Sequence, residues 1–419
     1  MKSLPRVLFI NHSIRDGGPG KSLFYILKYL DRTKISPWVL IPKDEVFSER
    51  LKAEGIYENI ILDKRFPENL KRPRLGISFQ KGNNGDNTGL LDTLHKFVSV
   101  LLNIFDMLSL IITSPYWIRK NRIDLVYCNG TQAKVVGALI GFLNMRPVIW
   151  HVRNIQQTRV LGTIIHSLSR LPAVRRIICV SEATARPFEK VREKVRVVYN
   201  GVDIENYNPE VIKGNLRDKY GISPQTVVVG STGRIVPRKG YDLFIKSAKV
   251  VVDQLDENNR DIKFVIVGDT PYFFQDDHLT YLKRLVSENG LDGYFIFTGY
   301  KKEVKEFLSD FDIFVIPSNY PDPFPRSVIE AMAFELPSIG FKEAGGIVES
   351  IDDGVTGFLC EPGDIRQMGE SILKLVQDRD IRRKMGEAGR KRVKDNFLAV
   401  DRTKDIQMNI LEVLGLSWD

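Results

Sequence analysis

Four side chains in the second half of the sequence have the types and spacing to hold a phosphorylated sugar. Asp322 and Glu330 are carboxylates with seven residues between them, the first in a proline-rich stretch at 320–325, the second at what reads as the opening of a helix. Upstream, in G-R-I-V-P-R-K-G, Arg234 and Lys239 follow an apolar strand and are flanked by Gly233 and Gly240. Carboxylates accept paired hydrogen bonds from vicinal hydroxyls, and cations beyond the end of a parallel strand stabilise phosphate charge. Two acids for sugar hydroxyls and two cations for a diphosphate suit a nucleotide-sugar site. A surface-charge reading of the cations and a helix-end or loop-capping reading of the acids are the plainer alternatives.

Three further constellations sit at strand ends. Gly17-Gly18-Pro19-Gly20 precedes a helical run at 22–30, and glycines there let backbone amides approach an anion. Glu343-Ala344-Gly345-Gly346 precedes another helix, so its amides could meet phosphate or sugar and Glu343 could accept from hydroxyls. An ordinary Gly-rich turn explains either stretch as well. His151, in W-H-V-R-N with Arg153 two residues on, and His12 both follow apolar strands, where clefts form. Ser181-Glu182 reads as a helix N-cap and Asn200-Gly201-Val202-Asp203 as an interdomain turn.

The elements that must position these groups alternate throughout, apolar strand then helical pattern, which is the signature of parallel α/β sheets. Strands are expected at 7–10, 38–41, 125–127, 148–150, 177–180 and 195–199, then at 227–231, 263–267, 294–298, 313–316 and 338–341. A polar, Pro/Gly-punctuated stretch at 200–225 separates the two series and marks a domain boundary. Residues 1–203 are then the first domain and 204–399 the second.

A chain of 419 residues, 43% apolar, has ample material for two cores. Its three cysteines, Cys128, Cys179 and Cys360, are scattered and suggest a reducing compartment. The N-terminal apolar run is four residues long, shorter than a signal peptide needs, and reads as a first strand. No His/Cys/Asp cluster has metal-ligand spacing, so a metal-independent site is expected. Charge is uneven: residues 1–200 hold 32 Lys and Arg against 16 Asp and Glu, whereas the whole chain holds 61 against 52. One basic half suggests one anionic partner, such as a membrane surface, a lipid phosphate or an acidic glycan, and argues against nucleic acid. A scattered solvated face is the alternative.

Two stretches break the alternation. Residues 63–87 read as a basic loop, and 97–113 are mostly apolar, with Ser99, Asn103, Asp106, Ser109 and Thr113 drawing one narrow polar stripe on a helix. Asp106 at its centre argues against a membrane span and leaves a core helix or an interfacial helix.

Together the Arg…Lys pair and the acid-x7-acid element resemble the retaining GT-B glycosyltransferases of family 4, also called group 1. The resemblance runs from the Gly17-Gly18 loop to the last helix. Asp322 is a departure, since the family usually has Glu there. The resemblance implies two Rossmann-like α/β domains facing each other across a cleft, with a C-terminal helix at about 400–419 packing back on the first. It implies transfer of a hexose, with retention, from a nucleotide-diphosphate sugar, UDP-linked in most similar enzymes, to a glycan or lipid-linked glycan acceptor. No cofactor or metal beyond that donor is expected. Arg234 and Lys239 would stabilise the departing diphosphate and Glu330 would anchor the ribose. Asp322 and Glu343 would orient the sugar, Gly345 and Gly346 would bind the donor, and His151 with the Gly17–Gly20 loop would line the first-domain wall. The setting would be cytoplasmic, peripheral on the inner face of a membrane, in cell-surface polysaccharide synthesis. A phosphate-loop hydrolase or kinase using Gly20-Lys21-Ser22 is the rival, weakened because Arg15 stands where that motif needs glycine. A non-catalytic sugar-nucleotide-binding protein is the third reading.

Overall fold

The computed structural model describes residues 4–12, 18–56, 59–66, 88–155, 158–255, 261–270 and 277–418, with the backbone alone for 88–96. The chain divides into two compact units. Unit 1 comprises residues 1–180, 185–198 and 403–419, and unit 2 comprises 181–184 and 199–402.

Unit 1 is built on β1 (Arg6–Asn11), β2 (Ser36–Ile41), β3 (Ile60–Leu62), β4 (Leu125–Asn129), β5 (Val148–Val152), β6 (Val174–Cys179) and β7 (Val195–Val197). They pair in the order β3-β2-β1-β4-β5-β6-β7, every pair parallel. Covered on both faces, the central strands need no polar side: Val7, Leu8, Phe9 and Ile10 are all buried, as are Leu125, Val126, Tyr127 and Cys128. The last helix, Ala399–Val413, joins this unit from Thr403 onward. Gln407 accepts from the Asp31 amide at 2.9 Å, Glu412 pairs with Arg176 at 3.0 Å, and Lys34 donates to the Trp418 carbonyl.

Unit 2 carries β8 (Val227–Thr232), β9 (Ile262–Val267), β10 (Phe295–Phe297), β11 (Ile313–Ile316), β12 (Ser338–Phe341) and β13 (Gly357–Cys360). Their order is β10-β9-β8-β11-β12-β13, again all parallel. Each sheet grows outward both ways from its first strand, so each has one topological switch point, between β1 and β4 in unit 1 and between β8 and β11 in unit 2. Loops at the carboxyl ends of such strands are where this architecture binds ligands.

The expected strands are present, with two additions, β3 and β13, each only three or four residues long. Three placements differ from expectation. The first helix begins at Gly18 rather than at residue 22. His151 lies inside β5, paired with Asn129 and Ile178, rather than beyond its end. Glu330 sits in the second turn of the helix Arg326–Ala333, because Pro325 already serves as its N-cap. The apolar stretch at 97–113 belongs to a longer helix, Thr88–Ile112. Its polar stripe faces inward at Ser99, Asn103 and Asp106, beside buried Leu110, and runs out at exposed Thr113; Phe105 and Ile112 are about seven-tenths exposed, so the helix also carries an apolar outward face.

Candidate active site

In unit 2 the structure brings Arg234, Lys239 and Asp322 together at the switch point, and shows Glu330 against Arg326 instead. Lys239 ends a short turn, Pro237–Lys239, after β8, and the proline-rich loop follows β11. Lys239 Nζ donates to Asp322 Oδ2 at 2.8 Å, and both side chains are largely buried. The Tyr320 hydroxyl donates to the same oxygen at 3.1 Å. Arg238 lies over the Tyr320 ring at 4.9 Å and Lys239 at 5.5 Å from its centroid. Arg234 keeps solvent access, yet the protein packed around its guanidinium lowers its pKa, and Arg238 lowers it further. Tyr320 and Asp322 act on Arg234 in the opposite sense, which places it in the same charge cluster. Burial pushes the Tyr320 hydroxyl up. Cations collected around one carboxylate and one tyrosine can receive an anion without first being assembled.

The loop after β12 straps this cluster down. Asp322 N donates to Ala344 O at 3.0 Å and Gly346 N to Asp322 O at 2.7 Å, a short parallel bridge between Asp322 and Gly345. Gly345 has φ +75°, and a Cβ there would stand 2.1 Å from the Asp322 carbonyl oxygen. Gly346 approaches the Pro323 carbonyl as closely. Glu343 adopts φ +59°, a left-handed conformation unusual for a non-glycine residue, with its carboxylate exposed. Strain of this kind persists only where surrounding structure over-determines it, and it clusters at functional loops. Gly240, φ +69°, lets the β8 turn lie against the Pro317 carbonyl at a distance that only glycine allows.

Glu330 is nearly fully buried and is drawn into an ion pair with Arg326, 3.3 Å away, one helical turn earlier. Arg326 also donates to the Gly201 carbonyl at 2.8 Å, and Asn200 Nδ2 to Phe324 O at 3.0 Å, so the 200–203 turn braces the start of this helix. Ser181 caps the Glu182–Ala185 helix, its Oγ accepting from Thr184 N at 3.1 Å, and the Glu349 carboxylate accepts from the Glu182 and Ala183 amides. Tyr320 and Arg326 were not anticipated. The Arg326–Glu330 spacing of four on a helix was the available signal for the second.

In unit 1 the switch point is polar. Asn129 Nδ2 donates to Asn11 Oδ1 at 2.9 Å and to Pro19 O at 3.1 Å, tying β4 to β1 and to the first helix. Arg153 Nε donates to Asn129 Oδ1 at 2.6 Å, and its Nη2 stands 3.1 Å from His151 Nδ1. The Tyr127 hydroxyl also contacts that nitrogen. A guanidinium only donates, so Nδ1 accepts and the imidazole proton resides on Nε2. Burial, and then the positive charges of Arg153 and Lys134, hold His151 well below its ordinary pKa and keep it neutral. Its buried Nε2–H finds no hydrogen-bond partner among the described residues. His12 packs against Gly130, and burial lowers its pKa too. Gly18 opens the first helix; Gly17, with most of the 63–87 loop, lies outside the described residues. Among the described residues no group of three His, Cys, Asp or Glu is placed to share a metal ion.

Two doubly wound parallel-sheet units, with charged or polar loops at both switch points, define the GT-B class. The family assignment follows from the sequence itself. Residues 16–206 match the model of Glycosyltransferase Family 4, and 212–392 match that of Glycosyl transferases group 1, so the chain belongs to this glycosyltransferase family. It is 26% identical over 293 residues to the capsular polysaccharide biosynthesis glycosyltransferase CapM of Staphylococcus aureus, covering 66% of this chain and 74% of that protein. It is 26% identical to the Escherichia coli UDP-Gal:alpha-D-GlcNAc-diphosphoundecaprenol alpha-1,3-galactosyltransferase, covering 74% of this chain and 81% of that one. Anabaena HepE, solved in complex with UDP-glucose, superposes with a TM-score of 0.75 at 23% identity, covering 97% of this chain and 99% of that one. The protein is accordingly a glycosyltransferase. The phosphate-loop alternative loses its footing, since Gly20-Lys21-Ser22 falls within the glycosyltransferase match.

Proposed function

We propose that the enzyme moves a hexosyl group, with retention, from a UDP-sugar to a hydroxyl of a glycan or lipid-linked glycan acceptor in cell-surface polysaccharide synthesis. The observation that carries this reading is the Lys239–Asp322–Tyr320 cluster at the unit 2 switch point, strapped by Gly345. Support for the donor and the acceptor class comes from relatives: HepE was crystallised with UDP-glucose, and the E. coli relative is named for a UDP-Gal donor and a diphosphoundecaprenol-linked acceptor.

Residue roles follow from the chemistry. Arg234 and Lys239 neutralise the β-phosphate as the bond from the anomeric carbon to the phosphate oxygen breaks. The acceptor oxygen forms the new bond to that carbon on the same face, and its proton passes to the departing phosphate oxygen, so no separate carboxylate base is needed. Glu330 accepts from the ribose hydroxyls while Arg326, 3.3 Å away, holds its carboxylate in position. Asp322, Glu343 and the Gly345 amide orient the donor, while Gly346 holds that loop in place through its bond to Asp322 O; in unit 1, the His151 Nε2–H is available to a hydroxyl. Asp322 already holds Lys239, so its shorter side chain serves that pairing as well as any sugar contact.

A thermal-shift panel of UDP-, GDP- and ADP-sugars tests the reading. A UDP-sugar at a hundred times its Kd should stabilise unit 2 by about 2.7 kcal/mol, and Lys239→Ala should shrink the shift and slow transfer by about a hundredfold or more. Stabilisation by none of the donors, or wild-type turnover in Lys239→Ala, would overturn it. Tight donor binding with no turnover on any acceptor would favour the non-catalytic reading.

A further inference from the structure

The Thr88–Ile112 helix is amphipathic in the wrong sense for a helix bathed in water. Its inward stripe is polar: Ser99, Asn103 and Asp106 are buried, and each has partners. The anchor is the segment just after β3. Arg65, paired with Asp63 at 2.6 Å, donates to Ser109 Oγ at 3.4 Å and to Thr113 Oγ1 at 2.9 Å, and the Asp63 hydrogen bond, with a smaller contribution from the Asp106 charge, raises the Arg65 pKa. The outward face is apolar, with Phe97, Leu101, Phe105, Leu108 and Ile112 between 48% and 71% exposed. At the C-terminal end Asn144 Nδ2 donates to Ser114 Oγ at 2.7 Å. That bond ties the 142–145 stretch, where Phe142, Leu143 and Met145 are exposed, to the start of the helix that carries exposed Tyr116. A contiguous patch of this extent on a single chain marks something that covers it.

Charge says what covers it. From Phe97 to Ser181 the only acidic residues are Asp106, which is buried, and Asp124. Arg119, Lys120 and Arg122 lie exposed immediately after the apolar helix, and Arg159, Arg170 and Arg175 are exposed on the helix after β5 and at the start of β6. Apolar side chains bordered by exposed arginines and lysine, with no exposed acid in that stretch apart from partly covered Asp124, match an anionic lipid surface: hydrocarbon takes the helix face and headgroup phosphates take the cations. Among the described residues no single helix is long and apolar enough to cross a membrane; Phe97–Ile112 and Ser114–Lys120 have the length and composition only as a pair bent by 46°, and buried Asn103 and Asp106 on the first with exposed Arg119 and Lys120 on the second favour in-plane docking over a span.

We infer that the 97–112 helix docks its outward face into the headgroup–acyl boundary of an anionic bilayer, with Arg119, Lys120 and Arg122 on the lipid phosphates, so that unit 1 is held at the membrane. This rests on the helix and its charges, independently of the transfer chemistry. The test is flotation of the full chain with vesicles of phosphatidylcholine alone or with added phosphatidylglycerol. Binding to the anionic vesicles is expected, weakened by salt as exposed charges are screened. Phe105→Ser/Leu108→Ser/Ile112→Ser should lose it by at least about a hundredfold, since it removes three large side chains from the apolar face. Arg119→Glu/Lys120→Glu should remove the preference for anionic over neutral vesicles. A polarity-sensitive fluorophore on Phe105→Cys should report an apolar environment when vesicles are added, which keeps the test open if the triple variant folds poorly. Equal partition to both vesicle types, or a label that stays in water, would overturn the proposal. So would a triple variant that floats like the wild type while a dimer becomes a monomer, because a second copy would then be what covers the face.

Discussion

Replacing Gly345 with alanine tests whether the strap after β12 holds the Lys239–Asp322 pair in place. The residue has φ +75°, and its Cβ would lie 2.1 Å from the Asp322 carbonyl oxygen and 2.8 Å from its amide nitrogen. The left-handed conformation alone costs about 1–2 kcal/mol with a Cβ. A backbone oxygen at that distance has no rotamer to escape into, so the Asp322 strand must move. Overpacking of this kind costs about 1–3 kcal/mol, and the bonds Asp322 N–Ala344 O and Gly346 N–Asp322 O are worth about 0.5–1.5 kcal/mol each. Together these give an expected loss of about 3–8 kcal/mol. Gly354 supplies the internal control: its φ is +77°, but nothing lies within 4 Å of its Cβ, so Gly354→Ala carries the conformational cost alone. Calorimetry of both variants should place Gly345→Ala several degrees below Gly354→Ala, at about 2–4 °C per kcal/mol for a unit of this size. Titration with a UDP-sugar should find donor affinity lost only in Gly345→Ala. Equal melting temperatures, or unchanged donor binding in Gly345→Ala, would refute the claim that the strap positions the site.

Lys239→Ala should reduce kcat by about a hundredfold or more, the range for losing one preorganised donor to developing charge, measured as nucleotide release with a competent acceptor. Glu330→Gln should raise the donor KM while leaving kcat within a few-fold, because it weakens the ribose contact without deleting the helix; an unchanged KM would remove that role. Stability should fall on acidification below about pH 6.5. His12 and His151 are held neutral by burial in the fold and gain protons when unfolded, so the unfolded state binds more protons there, at up to about 1.4 kcal/mol per pH unit for each histidine. His12→Asn/His151→Asn should flatten that limb of the urea-denaturation profile, and an unchanged slope would contradict the neutral assignment.

Most of the two-sheet architecture was legible because buried parallel strands must read as short apolar runs, and runs such as V-L-F-I at β1 and I-F-V-I at β11 have no other plausible use. The strands that escaped notice, β3 and β13, are short edge strands with too few residues to draw a pattern. Site residues were legible by type but not by partner. Lys239 and Asp322 were assigned to different parts of a donor, and nothing in a linear sequence says that they meet at 2.8 Å. Tyr320 has no sequence signal, because an aromatic side chain before a proline does not say which carboxylate its hydroxyl will meet. Glu330 was placed at a helix start because the prolines obscure which residue is the cap. The Thr88–Ile112 helix yielded its polar stripe to periodicity, but which side faces inward depends on Arg65 and Asp63, outside the helix.

The return of residues 403–418 to unit 1 has a consequence for biosynthesis. Buried Thr403, Ile406, Gln407 and Ile410 complete a unit whose other parts end at Val198. About 200 residues separate the two, so at about 5–20 residues per second the ribosome needs roughly 10–40 s to deliver the missing piece. During that interval the nascent unit 1 carries an open apolar seam, and a chaperone or the growing chain itself must keep it from sticking elsewhere.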